Sequence, residues 1–262
     1  MSKSKIEWTD YTLNPVTGCT KISDGCKNCY AEKMHNRLRR MGVEKYQHPF
    51  YVVQYQSYSY ELLKVLKIKK PSKIFVGSMA DIFHADIPRE VLDFLMQCVW
   101  KNPKHTFLFL TKRSEYMEKY FNIYYDLDDM PPNLWIGVTV EDKDSLFRID
   151  FLKAIKKPCI KFISFEPLLE DVGEIDLTGI DWVIVGGETG AGAREMIPEW
   201  AFNIYEQCVS QNVPFFFKQW GSLYDKHLKK ISSIGSGILI NGIFRELREF
   251  KQFPKTKEGK DE

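Results

Sequence analysis

What this sequence lacks narrows its class before any motif does. It has hardly any excess of charge: 37 Lys and Arg stand against 35 Asp and Glu, a formal net charge of +2. That excludes the strong basic surplus of a protein that coats DNA, while local patches stay open. Two such patches are Arg37-Leu-Arg-Arg40 and the group Lys64, Lys67, Lys69, Lys70 and Lys73, each equally readable as solvated surface. No apolar run approaches the roughly 18 residues that span a bilayer. The segment after Met1 has no apolar stretch that could act as a signal peptide. The expected compartment is therefore the cytoplasm, with no membrane partner. There cysteines stay reduced, and clusters of them are metal-binding or catalytic. Internal repeats, low-complexity linkers and Ser-His-Asp, Walker or zinc-protease motifs are absent too, so the chemistry has to be sought elsewhere.

What is present is a globular composition, 44% hydrophobic and 27% charged over 262 residues, enough for a sizeable core. Three of the six cysteines crowd into one loop as C-x6-C-x2-C: Cys19, Cys26 and Cys29. The Gly, Pro, Asn and Asp residues around them permit tight turns that bring sulfurs to one point. Thiolate is a soft ligand for iron–sulfur clusters, zinc or copper(I), and three cysteines without a clear fourth leave a coordination position open. His35 is a possible fourth ligand of a zinc site, and unligated thiols are the bland reading. Cys98, Cys159 and Cys208 read as small core residues.

After the loop, Tyr30 to Met41 reads as a helix ended by Gly42. Continuous apolar runs then alternate with helical stretches. The runs are 73–77, 106–111, 134–140, 160–165, 181–187 and 214–218, with a first strand expected before Cys19. Runs without polar alternation are the mark of parallel strands covered on both faces. Each is followed by an ionisable group: Asp81, Lys112 with Arg113, Glu141, Glu166, Glu188 and Lys218. Charges after every strand point to a β/α barrel rather than an open sheet with one switch point. The expected fold is α/β: a full or partial parallel (β/α) barrel of about six to seven strands, with a short C-terminal β-hairpin around Asn241-Gly242. One domain is expected over residues 1–253, with 254–262 a disordered tail.

Specific motifs carry a family resemblance. They are Trp8-Thr-Asp, Asn14-Pro-Val-Thr-Gly-Cys19, Gly25-Cys-Lys-Asn-Cys-Tyr-Ala31, Phe75-Val-Gly-Ser-Met-Ala-Asp-Ile-Phe-His84 and Leu110-Thr-Lys-Arg113. Ser164-Phe-Glu-Pro-Leu-Leu169, Gly186-Gly-Glu-Thr-Gly-Ala-Gly-Ala-Arg194 and Phe215-Phe-Phe-Lys-Gln-Trp-Gly221 complete them. The chain resembles the radical S-adenosylmethionine superfamily, and within it a phage-associated three-cysteine family. The second strand and Leu-Thr-Lys also look like radical enzymes that repair pyrimidine lesions in DNA.

The resemblance implies a [4Fe–4S] cluster on Cys19, Cys26 and Cys29 whose open iron chelates S-adenosylmethionine. Reduction by a donor such as flavodoxin or ferredoxin would then give a 5′-deoxyadenosyl radical that takes hydrogen from a substrate, for which a nucleobase, nucleotide or nucleic acid is the candidate class. Two departures stand out: the first cysteine gap is six residues instead of three, and Gly186-Gly-Glu188 lies far beyond its usual place after the second strand. Contact with the methionine amino group therefore falls to Ser78 or Asp81, and contact with its carboxylate to Lys112 and Arg113. Gly186, Gly187 and Glu188 are expected on the adenosine or substrate side, or in a plain strand-to-helix turn. Glu141, Glu166 and Arg194 are candidates for ribose or substrate contact, and Lys218 closes the ring; Lys218, Glu166 and Glu141 are the catalytic candidates. The alternative is a non-catalytic binding or regulatory module stabilised by zinc or an iron–sulfur cluster, associated with nucleic acid or phage defence.

Overall fold

The computed structural model describes residues 2–55, 58–125, 130–157, 159–223, 247 and 250–255. The fold is α/β, with eight strands in chain order, and every described strand pair after the first is parallel. The chain divides into two compact units, residues 1–22, 29–138 and 150–159, and residues 23–28, 139–149 and 160–262.

In the first unit β1 (Ser2–Lys3) lies antiparallel on β2 (Tyr11–Leu13). Parallel to β2 follow β3 (Lys73–Val76), β4 (Thr106–Thr111) and β5 (Leu134–Thr139). The register sets Leu13 beside Val76, Val76 beside Phe109 and Phe109 beside Ile136. All four are buried, so one apolar row crosses the sheet and explains why these runs contain no polar alternation. Helix α1 (Tyr30–Arg40) follows the cysteine loop, and α2 (Tyr58–Leu63) precedes β3. Helix α3 (Arg89–Trp100) buries Val91, Leu92, Leu95, Met96 and Val99, a single stripe at helical spacing. Helix α4 (Ser114–Lys119) runs into a π-helical turn, Tyr120–Tyr124. That turn packs Tyr120 and Phe121 against Phe83 and Tyr125, ring centres 5.9–6.2 Å apart.

Helix α5 (Phe147–Ala154) comes next in the chain. The second unit holds β6 (Ile160–Phe165), β7 (Trp182–Gly186) and β8 (Phe215–Gln219), with α6 (Pro198–Ser210) between the last two. Phe165, Val185 and Phe217 pair across the three strands, and all are buried. The outer edge of β8 is taken by the C-terminal segment. Phe216 bridges Lys251, Phe217 donates to the carbonyl of Phe250, and Gln252 donates to that of Phe215. Trp182 Nε1 seals this edge with a 2.8 Å bond to Gln252 O. With β1 on one terminal strand and the Lys251 segment on the other, both outer strands have their edges occupied. Among the described residues the sheet order runs open from β1 to β8, with no pairing that closes it.

The hairpin expected around residues 238–245, and the expected tail beyond residue 255, lie outside the described residues. Among those described, no helix is long and apolar enough to cross a membrane.

Candidate functional site

The cysteine loop starts where β2 ends. Gly18, at φ +87°, turns the chain so tightly that a Cβ there would lie 2.1 Å from the Val52 carbonyl oxygen. Cys19 follows, its backbone N–H donating to Phe50 O. Its sulfur takes a hydrogen bond from Arg113 Nη1 at 3.5 Å. The same guanidinium donates to Thr20 O at 3.0 Å and Thr20 Oγ1 at 2.9 Å. Behind it, Asp81 Oδ2 receives Arg113 Nη1 at 3.1 Å and the Lys112 N–H at 3.1 Å, while Oδ1 receives Thr111 Oγ1 at 2.6 Å and the Phe83 N–H. Four donors saturate this buried carboxylate. His84 closes the group, Nε2 lying 2.7 Å from Thr20 Oγ1. Three segments, following β2, β3 and β4, thus converge on one sulfur.

The electrostatics follow from this packing. Burial pushes the Cys19 thiol up and the Asp81 charge adds to it, against the lowering effect of Arg113. Burial opposes the charge on Arg113, but Asp81 and Cys19 outweigh it and hold the guanidinium more firmly protonated. Burial, then the nearby Arg113, pushes His84 down towards the neutral form.

Of the other residues expected in this unit, Ser78 Oγ donates to Asn14 Oδ1 at 3.1 Å, which also takes the Met79 N–H. Asn14 thereby ties the strand-end turn at Ser78 to the segment leading into the cysteines. Cys29 is the N-cap residue of α1. His35 is fully buried against the rings of Tyr46, His48 and Phe50, and its Nε2 is 2.8 Å from the His48 carbonyl oxygen. A carbonyl accepts only from N–H, so that nitrogen carries the proton and is not free to bind metal.

In the second unit, Ser23 Oγ donates to Glu141 Oε1 at 2.8 Å and lies 3.5 Å from Cys26 Sγ. Glu141 is completely buried and ion-paired with Arg148 at 2.6 Å, whose Nη1 also donates to Thr139 O. A Cβ on Gly25 would meet the Glu141 carboxylate at 2.6 Å, so glycine is what lets this turn settle on the ion pair. Glu188 receives Asn28 Nδ2 at 2.9 Å and three N–H groups of Arg194 at 2.7–3.0 Å. Burial raises its carboxyl, but Arg194 and Asn28 together prevail and hold it at about 2. Arg194 also reaches Asp24 Oδ2 at 2.6 Å, and Asn28 reaches Gly192 O. The peptide from Asp24 to Asn28 is therefore strapped to the loop after β7.

Lys218 Nζ meets Glu166 Oε1 at 2.8 Å, and Ser164 Oγ donates to Glu166 Oε2. Gly186 gives the Glu166 carboxylate room, since a Cβ there would sit 2.7 Å from it. Gly187 accommodates the Trp220 carbonyl, which a Cβ would meet at 2.1 Å. The glycines of this motif thus serve close packing within the unit. Trp220 is itself buried against Phe217, a core-edge position rather than an open stacking platform.

Sequence reasoning passed over Asn14, Thr20, Asp24, Asn28, Thr111 and Arg148 as partners of these groups. Asn14, Asp24 and Asn28 flank the cysteines, which was the available signal. Arg148 had none beyond being a charged residue in a helical stretch.

Among the described residues, no three His, Cys, Asp or Glu side chains are grouped closely enough to hold a metal. The donor chemistry nevertheless suits a thiolate-bound cluster: none of Cys19, Cys26 and Cys29 is tied up in a disulfide, and Cys19 already receives an N–H, as ligating sulfurs commonly do.

A family model described as Protein of unknown function (DUF5131) matches residues 3–254. No curated protein matches the chain. Among solved structures, a spore photoproduct lyase complexed with dinucleoside spore photoproduct aligns at 10% identity and TM-score 0.48. A mutant of that enzyme aligns at 11% and 0.48, and another, with bound AdoMet and dinucleoside spore photoproduct, at 11% and 0.44. Each alignment covers 79% of this chain and 62% of the other, so this chain spans under two thirds of those proteins.

Proposed function

This chain belongs to the family of proteins of unknown function DUF5131, and we propose that it is a radical S-adenosylmethionine enzyme with a [4Fe–4S] cluster on Cys19, Cys26 and Cys29. The observation that carries this reading is the Cys19–Arg113–Asp81 chain at the carboxyl ends of β3 and β4. A structural thiol needs no guanidinium; a ligand thiolate gains from one. Bound there, the cluster and S-adenosylmethionine would supply reductive cleavage of the sulfonium and a radical for hydrogen abstraction.

The chain's own residues take distinct parts. Arg113 holds Cys19 and Thr20, and Asp81 holds Arg113, so this pair positions the loop. Ser78, whose hydroxyl donates to Asn14, and Lys112 stand just after β3 and β4, and the part assigned to them is contact with the methionine end of the cosubstrate. Glu188 and Arg194 fix the backbone from Asp24 to Asn28, on either side of Cys26. Glu141 acts on the same segment through Ser23. Lys218 and Glu166 offer a charged pair to a substrate, and Gly186 and Gly187 let that pair and Trp220 sit close. The substrate is a nucleobase, nucleotide or nucleic acid, and an electron donor of the flavodoxin or ferredoxin kind is needed. Within the superfamily the motifs favour the phage-associated three-cysteine group.

Anaerobic reconstitution with iron and sulfide tests the reading. A brown protein that converts S-adenosylmethionine to 5′-deoxyadenosine under reduction is expected. The second reading, a zinc-stabilised binding module, would need His35 to ligate through Nδ1, since its Nε2 donates to a carbonyl and its ring is enclosed by Tyr46, His48 and Phe50. A colourless protein with stoichiometric zinc would nonetheless establish it.

A further inference from the structure

Helix α1 begins at Tyr30, immediately after the last loop cysteine, and carries Tyr30, Lys33, Arg37 and Arg40 along it. Their spacing, i, i+3, i+7 and i+10, puts them on one stripe of the helix. All four are exposed, Tyr30 at 62%, as are Asn36 and Arg39 beside them. Next to the stripe, Lys33, Asn36, Arg39, Arg40 and Gln47 line a cleft of about 690 Å³. Three cations and two amides form its walls, and no carboxylate does. The nearest acid on the helix, Glu32, is already bridged to Lys21 at 2.8 Å; Glu44, on the following turn, is exposed but does not line the cleft. Among the described residues, the side chains of Arg37, Arg39 and Arg40 have no ion-pair or hydrogen-bond partner.

We infer that this face of α1 is a docking track for the sugar–phosphate backbone of a nucleic acid. Guanidinium forks match phosphate oxygens two at a time, and the amides add neutral donors. The exposed Tyr30 ring can stack on a base at the end of the track nearest the cysteines. A lipid surface fits less well, because the exposed face of α1 lacks the Trp, Phe and Leu that would enter a membrane interface. The helix is about 16 Å long, so a strand lying along it is led towards the cysteine loop. This deepens the reading above by naming the substrate class, and rests on that reading only for its link to the loop.

The test is fluorescence anisotropy with a short labelled single strand and its duplex, from about 50 to 200 mM KCl. It is run on protein with and without cluster reconstitution, so failure of the cluster leaves the binding result intact. Wild type should bind with an affinity falling steeply with salt. The variant Arg37→Gln/Arg39→Gln/Arg40→Gln should bind about tenfold or more weakly, its salt slope lowered by about one for each arginine. The control Lys67→Gln/Lys69→Gln/Lys70→Gln removes equal charge from another exposed patch and should leave the slope nearly unchanged. Circular dichroism verifies that both variants are folded. The inference is overturned if wild type does not bind at low salt, or if the two variants lose affinity equally. It falls as well if anionic vesicles or polyglutamate are bound more tightly than either oligonucleotide.

Discussion

Glu188 shows what a single side chain contributes, because its pKa of about 2 lies below the ordinary 4.5. On acidification the unfolded chain therefore takes up this proton first. The stabilisation is complete above about pH 4.5 and drains away as pH falls towards 2. Glu188→Gln should accordingly cost about 2 kcal/mol near neutrality, and the gap to wild type should close in acid. Urea denaturation at a series of pH values measures this; curves that stay parallel down to pH 2 would contradict it. The cysteines are the other residue-scale case. Replacing any one of Cys19, Cys26 or Cys29 with Ala should abolish cluster retention after reconstitution while far-UV circular dichroism stays native. The buried apolar rows, not the metal, hold a chain of this length together. Full iron content in a single mutant would show that the ligand set is wrong.

At the scale of elements, the glycine turns set how closely segments approach. Gly187 stands where β7 ends, and the Trp220 carbonyl after β8 occupies the place of its missing Cβ. Gly42, after α1, has φ +75° but open space around it. Gly187→Ala should therefore cost about 3 kcal/mol, because backbone has to move. Gly42→Ala should cost only about 1 kcal/mol of dihedral strain. Thermal unfolding of the two variants separates these effects, and equal losses would mean that the close approach is readily relieved. The bulge at the same place, where Val185 pairs with Phe217 but Gly186 with Gln219, is part of the same adjustment.

For the molecule as a whole, the remaining cysteines belong to the scaffold. Cys208 is fully buried, and burial pushes its thiol up to about 12. Cys98 is raised to about 11 by burial, against a small effect of Lys101, and receives Asn102 Nδ2 at 3.8 Å. Cys159 is buried and donates to Lys157 O. Protonated, enclosed thiols are poor ligands and poor nucleophiles. A variant with Cys98→Ser, Cys159→Ala and Cys208→Ala should keep about four irons per chain and still form 5′-deoxyadenosine, at a cost of a few kcal/mol in packing. Loss of about half the iron from a folded variant would reveal a second cluster.

Much of this was legible in the sequence, because strand burial leaves a local mark. The apolar runs at 106–111 and 160–165 coincide with β4 and β6, and helix α1 begins and ends within a residue of its expected bounds. The three-cysteine loop and the charged groups after each strand were equally plain, since spacing and composition are properties of the chain itself. β1 left no such mark: two exposed polar residues carry no apolar pattern, and only pairing with β2 makes them a strand. The partners of the charged groups were illegible for the same reason. Arg113 was read as a contact for a ligand carboxylate; its bonds to Asp81 and to Cys19, the latter 94 positions away, left no mark in the sequence. Glu141 was expected to face a substrate; it is enclosed with Arg148. Periodicity encodes which face of an element is buried. Which charge a buried charge finds there depends on segments brought together only by the packed sheet, and that the tertiary structure alone decides.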